Sequence, residues 1–205
     1  MKITVLDRIL LLLTGLLAAW QVAIGIDGTE MLPMIAYTLG FGTLLVASLL
    51  IIILGFDVLD SPVVVIVSTI IPLSISLGLV WEHWLAVRTG YLVFAILGFL
   101  AVLVTRLLPL KSRLPVFALA AVHGIAGLAI CLLPIAWALT GRAAPGFALV
   151  GIGGALIGIG GLLLSFLKAG KPLLSRATIL KVLPGLLLFM TAAFVAGFYL
   201  GRSTW

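Results

Sequence analysis

Seven stretches of apolar residues, each long enough to cross a lipid bilayer, take up most of this 205-residue chain. A helix needs roughly 17–25 mostly apolar residues to cross the bilayer. Short breaks that contain Pro, Gly or Asp, such as DVLDSP and TGRAAPG, separate the stretches. The sequence therefore predicts an all-α, polytopic integral membrane protein that forms a single transmembrane domain over residues 1–205. The predicted spans are 8–26, 33–56, 62–81, 91–108, 115–140, 146–167 and 182–201.

The composition excludes a water-soluble fold. Charged residues make up only 9% of the chain and hydrophobic residues 64%, whereas soluble domains carry roughly 25% charged residues. The formal charge of +6 comes from 12 Lys and Arg against 6 Asp and Glu. These cations lie between apolar segments, so the predicted partners are the bilayer and its anionic headgroups, and not nucleic acid.

The distribution of Lys and Arg predicts the orientation of the helices, because cytoplasmic loops are enriched in both. With a cytoplasmic N-terminus and an outside C-terminus, nine cations lie inside and three outside. The inner cations are Lys2, Arg8, Arg106, Lys111, Arg113, Lys168, Lys171, Arg176 and Lys181, and the outer ones are Arg88, Arg142 and Arg202. The predicted location is a cytoplasmic (inner) membrane of bacterial type.

The tryptophans and tyrosines support the same map. With seven spans, all five Trp and three Tyr lie toward the outer ends of helices. These residues favour membrane interfaces, and a wrong number of spans would scatter them over both sides. They are Trp20, Tyr37, Trp81, Trp84, Tyr91, Trp137, Tyr199 and Trp205.

Helices one to three and five to seven share short matches, such as LLAAW at 16–20 and LLPIAW at 132–137. Both triplets start in the same direction, so the matches indicate a parallel repeat in a 3+1+3 arrangement, as in some transporters. Chance similarity between apolar segments is the favoured interpretation, with the repeat as the alternative.

The sixth helix carries a stripe of glycines. Their spacing is close to two helical turns, and small residues so placed let two helix backbones approach closely. Internal helix packing is the favoured interpretation, with a subunit interface or a seat for a flat cofactor as the alternative. The glycines are Gly151, Gly153, Gly154, Gly158, Gly160 and Gly161.

The stretch VWEHW at 80–84 contains two tryptophans, one acid and one histidine within five residues. Its acid and histidine suggest a metal, haem or quinone site, but the topology places them where helix three leaves the membrane on the outside. Trp81 and Trp84 then belong to an aromatic rim, and Glu82 and His83 reach water or headgroups. The rim is retained as the candidate site for a docked partner or a quinone-type ligand.

His123 is the ionisable residue predicted to lie deepest in a span. Such residues are rare and often functional. One interpretation is a neutral histidine bonded to a neighbouring helix. The other is a ligand to a quinone, haem or chlorophyll-type metal, with Gly124 and Gly127 leaving room for a ring. His83 and His123 are predicted at different depths, which disfavours one haem held by both.

The third span is the most polar, with Ser68, Thr69, Pro72 and Ser76. Pro72 removes one backbone hydrogen bond, and nearby hydroxyls can satisfy the freed carbonyl. The residues predict either a kinked helix with a packing seam or a polar cleft for a solute or a quinone head group.

Catalytic signatures are missing from the sequence. None of the six acids lies in the middle of a predicted span, and no HExxH motif is present. The sequence predicts no catalytic residues, no metal site and no required cofactor, although a quinone or a haem shared with a partner remains compatible with it. Stand-alone enzymatic activity is disfavoured.

Two functions are compatible with these features. The first is a non-catalytic integral subunit that anchors or scaffolds a larger membrane complex, of the respiratory or electron-transfer kind, with a quinone or an outer-face redox partner. The second is a transporter of small solutes or lipids with a 3+1+3 helix arrangement.

Overall fold

A computed structural model describes residues 3–26, 28–108, 114–168 and 174–201, without the side chains of 165–168. Within these residues it contains seven helices long and apolar enough to cross a membrane, and no strand. The prediction of an all-helical integral membrane protein with seven spans is confirmed at this level. The helices are α1 (Val5–Ile24), α2 (Met31–Leu54), α3 (Pro62–His83), α4 (Arg88–Leu107), α5 (Leu114–Leu139), α6 (Ala148–Lys168) and α7 (Arg176–Leu200).

Helices α1 and α7 begin earlier than their predicted spans because polar caps, not hydropathy, set their first turns. Helix α1 begins at Val5, where the Thr4 hydroxyl accepts from the Asp7 N–H at 3.1 Å and the Asp7 carboxylate accepts from the Thr4 N–H at 2.8 Å. This reciprocal pair is a capping box. Helix α7 begins at Arg176 instead of 182, because the Ser175 hydroxyl accepts from the Thr178 N–H.

Several residues behind the predicted orientation and rim lie outside the described part of the chain. They are Lys2, Lys111, Arg113, Lys171, Arg202 and Trp205, and the side chain of Lys168.

Six of the helices form a closed ring. In the order α1, α2, α3, α5, α6 and α7, each helix packs against the next, and α7 returns to α1. Helix α4 lies outside the ring against α3 and α5. Because α4 carries the chain back across the bundle, its neighbours α3 and α5 run in the same direction.

The ring has two distinct ends. We call the end where α1, α3, α5 and α7 finish the aromatic end, and the end where they begin the basic end. Toward the aromatic end, Tyr37 and Phe41 of α2 pack against Phe194 and Phe198 of α7. The ring centroids of Tyr37 and Phe198 are 4.8 Å apart, and those of Phe41 and Phe198 are 6.1 Å apart. This aromatic layer fills the ring beneath its aromatic end.

Glycines let α6 approach its neighbours. A Cβ built on Gly154 would lie 2.7 Å from the backbone nitrogen of Cys131, and one on Gly151 2.6 Å from the Cys131 carbonyl oxygen. Gly153 and Gly160 face Phe194 and Leu186 of α7 just as closely, at 2.5 and 2.7 Å. Gly158 and Gly161 have nothing within 4 Å. Four of the six glycines predicted for packing thus lie where a side chain would collide with α5 or α7.

Candidate ligand-binding cavity at the aromatic end

A cavity of about 860 Å³ opens at the aromatic end. Its size falls within the range of roughly 300–1,000 Å³ that is common for small-molecule sites. It combines apolar rings with charged and polar side chains, drawn from loops and from the ends of α3, α5 and α7. The lining residues are Ile26, Gly28, Thr29, Glu30, Glu82, His83, Trp137, Arg142, Phe147, Phe198 and Gly201.

Glu82, in the last turn of α3, is held by a tyrosine of α2. Its Oε2 accepts a hydrogen bond from the Tyr37 hydroxyl at 2.8 Å. The approach depends on Gly78, one turn earlier in α3, because a Cβ there would lie 2.5 Å from Tyr37 Cε1. Tyr37 is only 2% exposed, so the carboxylate is anchored from inside the ring of helices.

His83 lies beside Glu82 against two aromatic rings. Its imidazole centroid is 4.8 Å from that of Trp137 and 5.3 Å from that of Phe147. Its Nε2 is 3.9 Å from Glu82 Oε2, too far for a hydrogen bond. The end of α3 therefore presents a carboxylate and an imidazole next to an aromatic wall built by α5 and the turn before α6.

The two tryptophans of VWEHW are not among the residues that line the cavity. The Trp81 indole N–H donates to Glu30 Oε2 at 2.8 Å, and the Arg88 guanidinium lies 5.1 Å from the Trp81 ring centroid. Glu30 Oε1 is 3.9 Å from Arg88 Nη1. Trp84, just after α3, is 48% exposed. Of the four predicted rim residues, Glu82 and His83 thus line the cavity. Trp81 instead connects the segment before α2 with the end of α3 and the start of α4.

His123 is not among the residues that line the cavity. Its Nδ1 lies 3.2 Å from the Leu119 carbonyl oxygen, one turn back in α5. A Cβ on Gly124 or Gly127 would meet nothing within 4 Å, so no described residue packs closely against either glycine. A ring bound at His123 stays a prediction.

The hydroxyls of α3 donate to carbonyls of their own helix. Ser68 and Thr69 both bond to the Val65 carbonyl, at 3.0 and 2.8 Å, and Ser76 bonds to that of Pro72 at 2.6 Å. The last of these bonds lies in the turn that follows the proline. The arrangement fits the packing interpretation of this polar helix.

Several residues that line the cavity or contact its side chains were not predicted as site residues from the sequence. Tyr37 and Trp137 carried a signal, since the topology placed them at the same end as VWEHW. Phe147 and Phe198 carried none, because a phenylalanine in an apolar segment can face lipid or core equally well. Arg142 appeared only as a loop cation.

The site can hold a ligand by stacking and hydrogen bonding. Among the described residues no three His, Cys, Asp or Glu side chains lie close enough together to hold a metal ion. The chemistry available is that of one carboxylate, one imidazole and an aromatic wall. Neither the known protein families, nor the curated proteins, nor the solved structures contain a match to this chain.

Proposed function

We propose that this protein is a non-catalytic integral membrane subunit that binds a quinone-type ligand in the cavity at its aromatic end. The observation that carries the proposal is the cavity of about 860 Å³ whose wall joins Glu82 and His83 to Trp137, Phe147 and Phe198. A quinone has a flat ring, polar groups on that ring and an apolar tail, and so it matches an aromatic wall with few polar groups at a membrane interface.

The chain itself supplies binding and anchoring. Electron transfer to or from the ligand belongs to redox centres on partner subunits of a respiratory-type complex. The long apolar helices anchor such a complex in a bacterial cytoplasmic membrane.

The proposed orientation places the aromatic end outside and the basic end in the cytoplasm. Arg8, Arg106, Arg176 and Lys181 lie toward the basic end, where they meet anionic headgroups. In a Cys131→Ala background, Thr29→Cys is expected to react with a membrane-impermeant maleimide in intact spheroplasts. Ser61→Cys, at the basic end, serves as the matched control and is expected to react only after permeabilisation. The opposite labelling pattern would reverse the orientation.

The binding proposal is tested by blocking the cavity. Thr29 lines it, and Thr29→Trp is expected to lower the quinone that co-purifies with the protein at least about tenfold, which corresponds to roughly 1.4 kcal/mol of binding free energy. The protein is extracted in polymer-bounded native discs, and quinone per protein and co-purifying subunits are measured by mass spectrometry.

The control is Thr89→Trp, a change of the same size at an exposed position in the first turn of α4. It is expected to retain the wild-type quinone content. Equal quinone content in Thr29→Trp, Thr89→Trp and wild type would contradict binding in this cavity.

A transporter is the second candidate, and the ring of helices is the observation that favours it. The contacts of α3 with α5 and of α7 with α1 join helices that run in parallel, as a 3+1+3 arrangement requires with α4 as the linker. In this case the layer of Tyr37, Phe41, Phe194 and Phe198 closes the path below the cavity. Proteoliposomes of the purified chain that release entrapped glucose or scramble a fluorescent phospholipid would favour transport over the subunit role.

A further inference from the structure

We infer that the cavity selects the reduced, dihydroxy form of its ligand, a hydroquinone, over the oxidised quinone. This inference rests on the proposed quinone-type ligand and deepens it. It comes from the hydrogen-bonding groups that the cavity leaves unpaired.

The unpaired groups are those of Glu82 and His83. Glu82 Oε2 accepts from Tyr37, and within the described residues Glu82 Oε1 has no hydrogen-bond partner. The same holds for both ring nitrogens of His83, whose nearest carboxylate oxygen is 3.9 Å away. An ionised carboxylate only accepts hydrogen bonds, and a neutral imidazole has one donor and one acceptor nitrogen.

A hydroquinone satisfies this pair and a quinone does not. A ligand hydroxyl can donate to Glu82 Oε1 and accept from the His83 N–H at once. A quinone carbonyl can only accept, so it satisfies His83 while its oxygen faces an oxygen of the carboxylate. The side chains of Glu82 and His83 are only 17% and 25% exposed, so water compensates poorly for an acceptor that lacks a donor.

Gln21 adds an acceptor at the same end of the bundle. Its Nε2 donates to the Gly25 carbonyl at 2.9 Å, which sets the orientation of the amide. Its Oε1 is buried without a partner in the described part of the chain, and the residue is 3% exposed. Arg142 also lines the cavity and carries donors, but its side chain is exposed. Gln21 is not among the residues that line the cavity, so the preference rests on Glu82 and His83.

The test compares the two redox forms of one probe. The titrations are made under argon at about pH 8.5, so that the Glu82 carboxyl is ionised. 2,3-Dimethoxy-5-methyl-6-decyl-1,4-benzoquinone and its hydroquinone are added to the full chain in phosphatidylcholine nanodiscs, and partition into empty nanodiscs is subtracted. Wild type is expected to bind the hydroquinone about tenfold more tightly, since an unpaired buried acceptor weakens binding by roughly that factor.

Two variants connect the preference to Glu82. Glu82→Gln replaces an acceptor-only group with an amide that also donates, so the preference is expected to fall below about twofold or to reverse. Asp57→Asn makes the same carboxylate-to-amide change at an exposed position of the basic end and is expected to keep the preference.

The outcomes separate the two proposals. Equal or tighter binding of the quinone by wild type overturns this inference and leaves the proposed function standing, and an unchanged preference in Glu82→Gln also overturns it. Binding of neither form above empty nanodiscs overturns the proposed function and this inference together.

Discussion

Replacing Gly154 by leucine is expected to leave little folded protein. A Cβ at this position would lie 2.7 Å from the backbone nitrogen of Cys131 and 2.7 Å from the carbonyl carbon of Ile130. These are backbone atoms of α5, so relief of the collision requires the two helices to separate. Overpacking a well-packed core costs about 1–3 kcal/mol. Here the larger side chain meets backbone, and we expect about 3 kcal/mol or more. The measurement is the thermal midpoint and the monodisperse yield of the detergent-solubilised chain.

The control is the same substitution one turn further along the same helix. Gly158 has no heavy atom within 4 Å of a built Cβ, so Gly158→Leu is expected to leave yield and midpoint near those of wild type. Leucine is also a good helix former and would face an apolar environment. If Gly154→Leu and Gly158→Leu behave alike, the glycines of α6 do not act through close packing against α5.

Hydropathy was enough to predict the number of helices, but not how they pack. A membrane helix can be apolar on every side, because lipid and protein core accept the same side chains. Leu11 is fully buried, whereas Leu12 and Leu13 are about half exposed, at 48% and 43%. Nothing in the run LLLL distinguishes them. The ring of six helices with α4 outside follows from such differences, so it was not predictable from these segments.

The location of the candidate site was predictable from the sequence, but the contacts of its side chains were not. The topology placed VWEHW with Trp137 and Tyr37 at one end of the bundle, and the cavity lies there. That Tyr37 donates to Glu82 depends on the missing side chain of Gly78 in a neighbouring helix. That His83 meets Trp137 and Phe147 depends on the packing of α3 against α5. Contacts of this kind between helices leave no pattern within any one segment.

Gly78→Ala is expected to destabilise the protein and to weaken ligand binding together. The new methyl group would lie 2.5 Å from Cε1 and 2.6 Å from Cζ of Tyr37. The tyrosine cannot swing away freely, because it is buried, packed against Phe198 and hydrogen-bonded to Glu82. Moving the ring gives up a hydrogen bond to a charged group, worth about 1.5–3 kcal/mol, and adds strain from overpacking. We expect a loss of about 3 kcal/mol in unfolding free energy, and weaker binding of the hydroquinone probe in nanodiscs.

Gly42→Ala is the matched control for Gly78→Ala. Gly42 also lies inside a helix, α2, but a Cβ there would meet nothing within 4 Å. Both changes gain about 1 kcal/mol in helix propensity, since alanine is preferred over glycine in helix interiors. Gly42→Ala is therefore expected to raise the thermal midpoint or leave it unchanged, and to bind the probe as wild type does. Gly78→Ala is expected to lower both the thermal midpoint and the affinity for the probe, because the collision with Tyr37 outweighs the same gain in helix propensity. A Gly78→Ala protein as stable as Gly42→Ala would show that Tyr37 yields at little cost, and that the carboxylate of Glu82 is not held in place by the packing of α2 against α3.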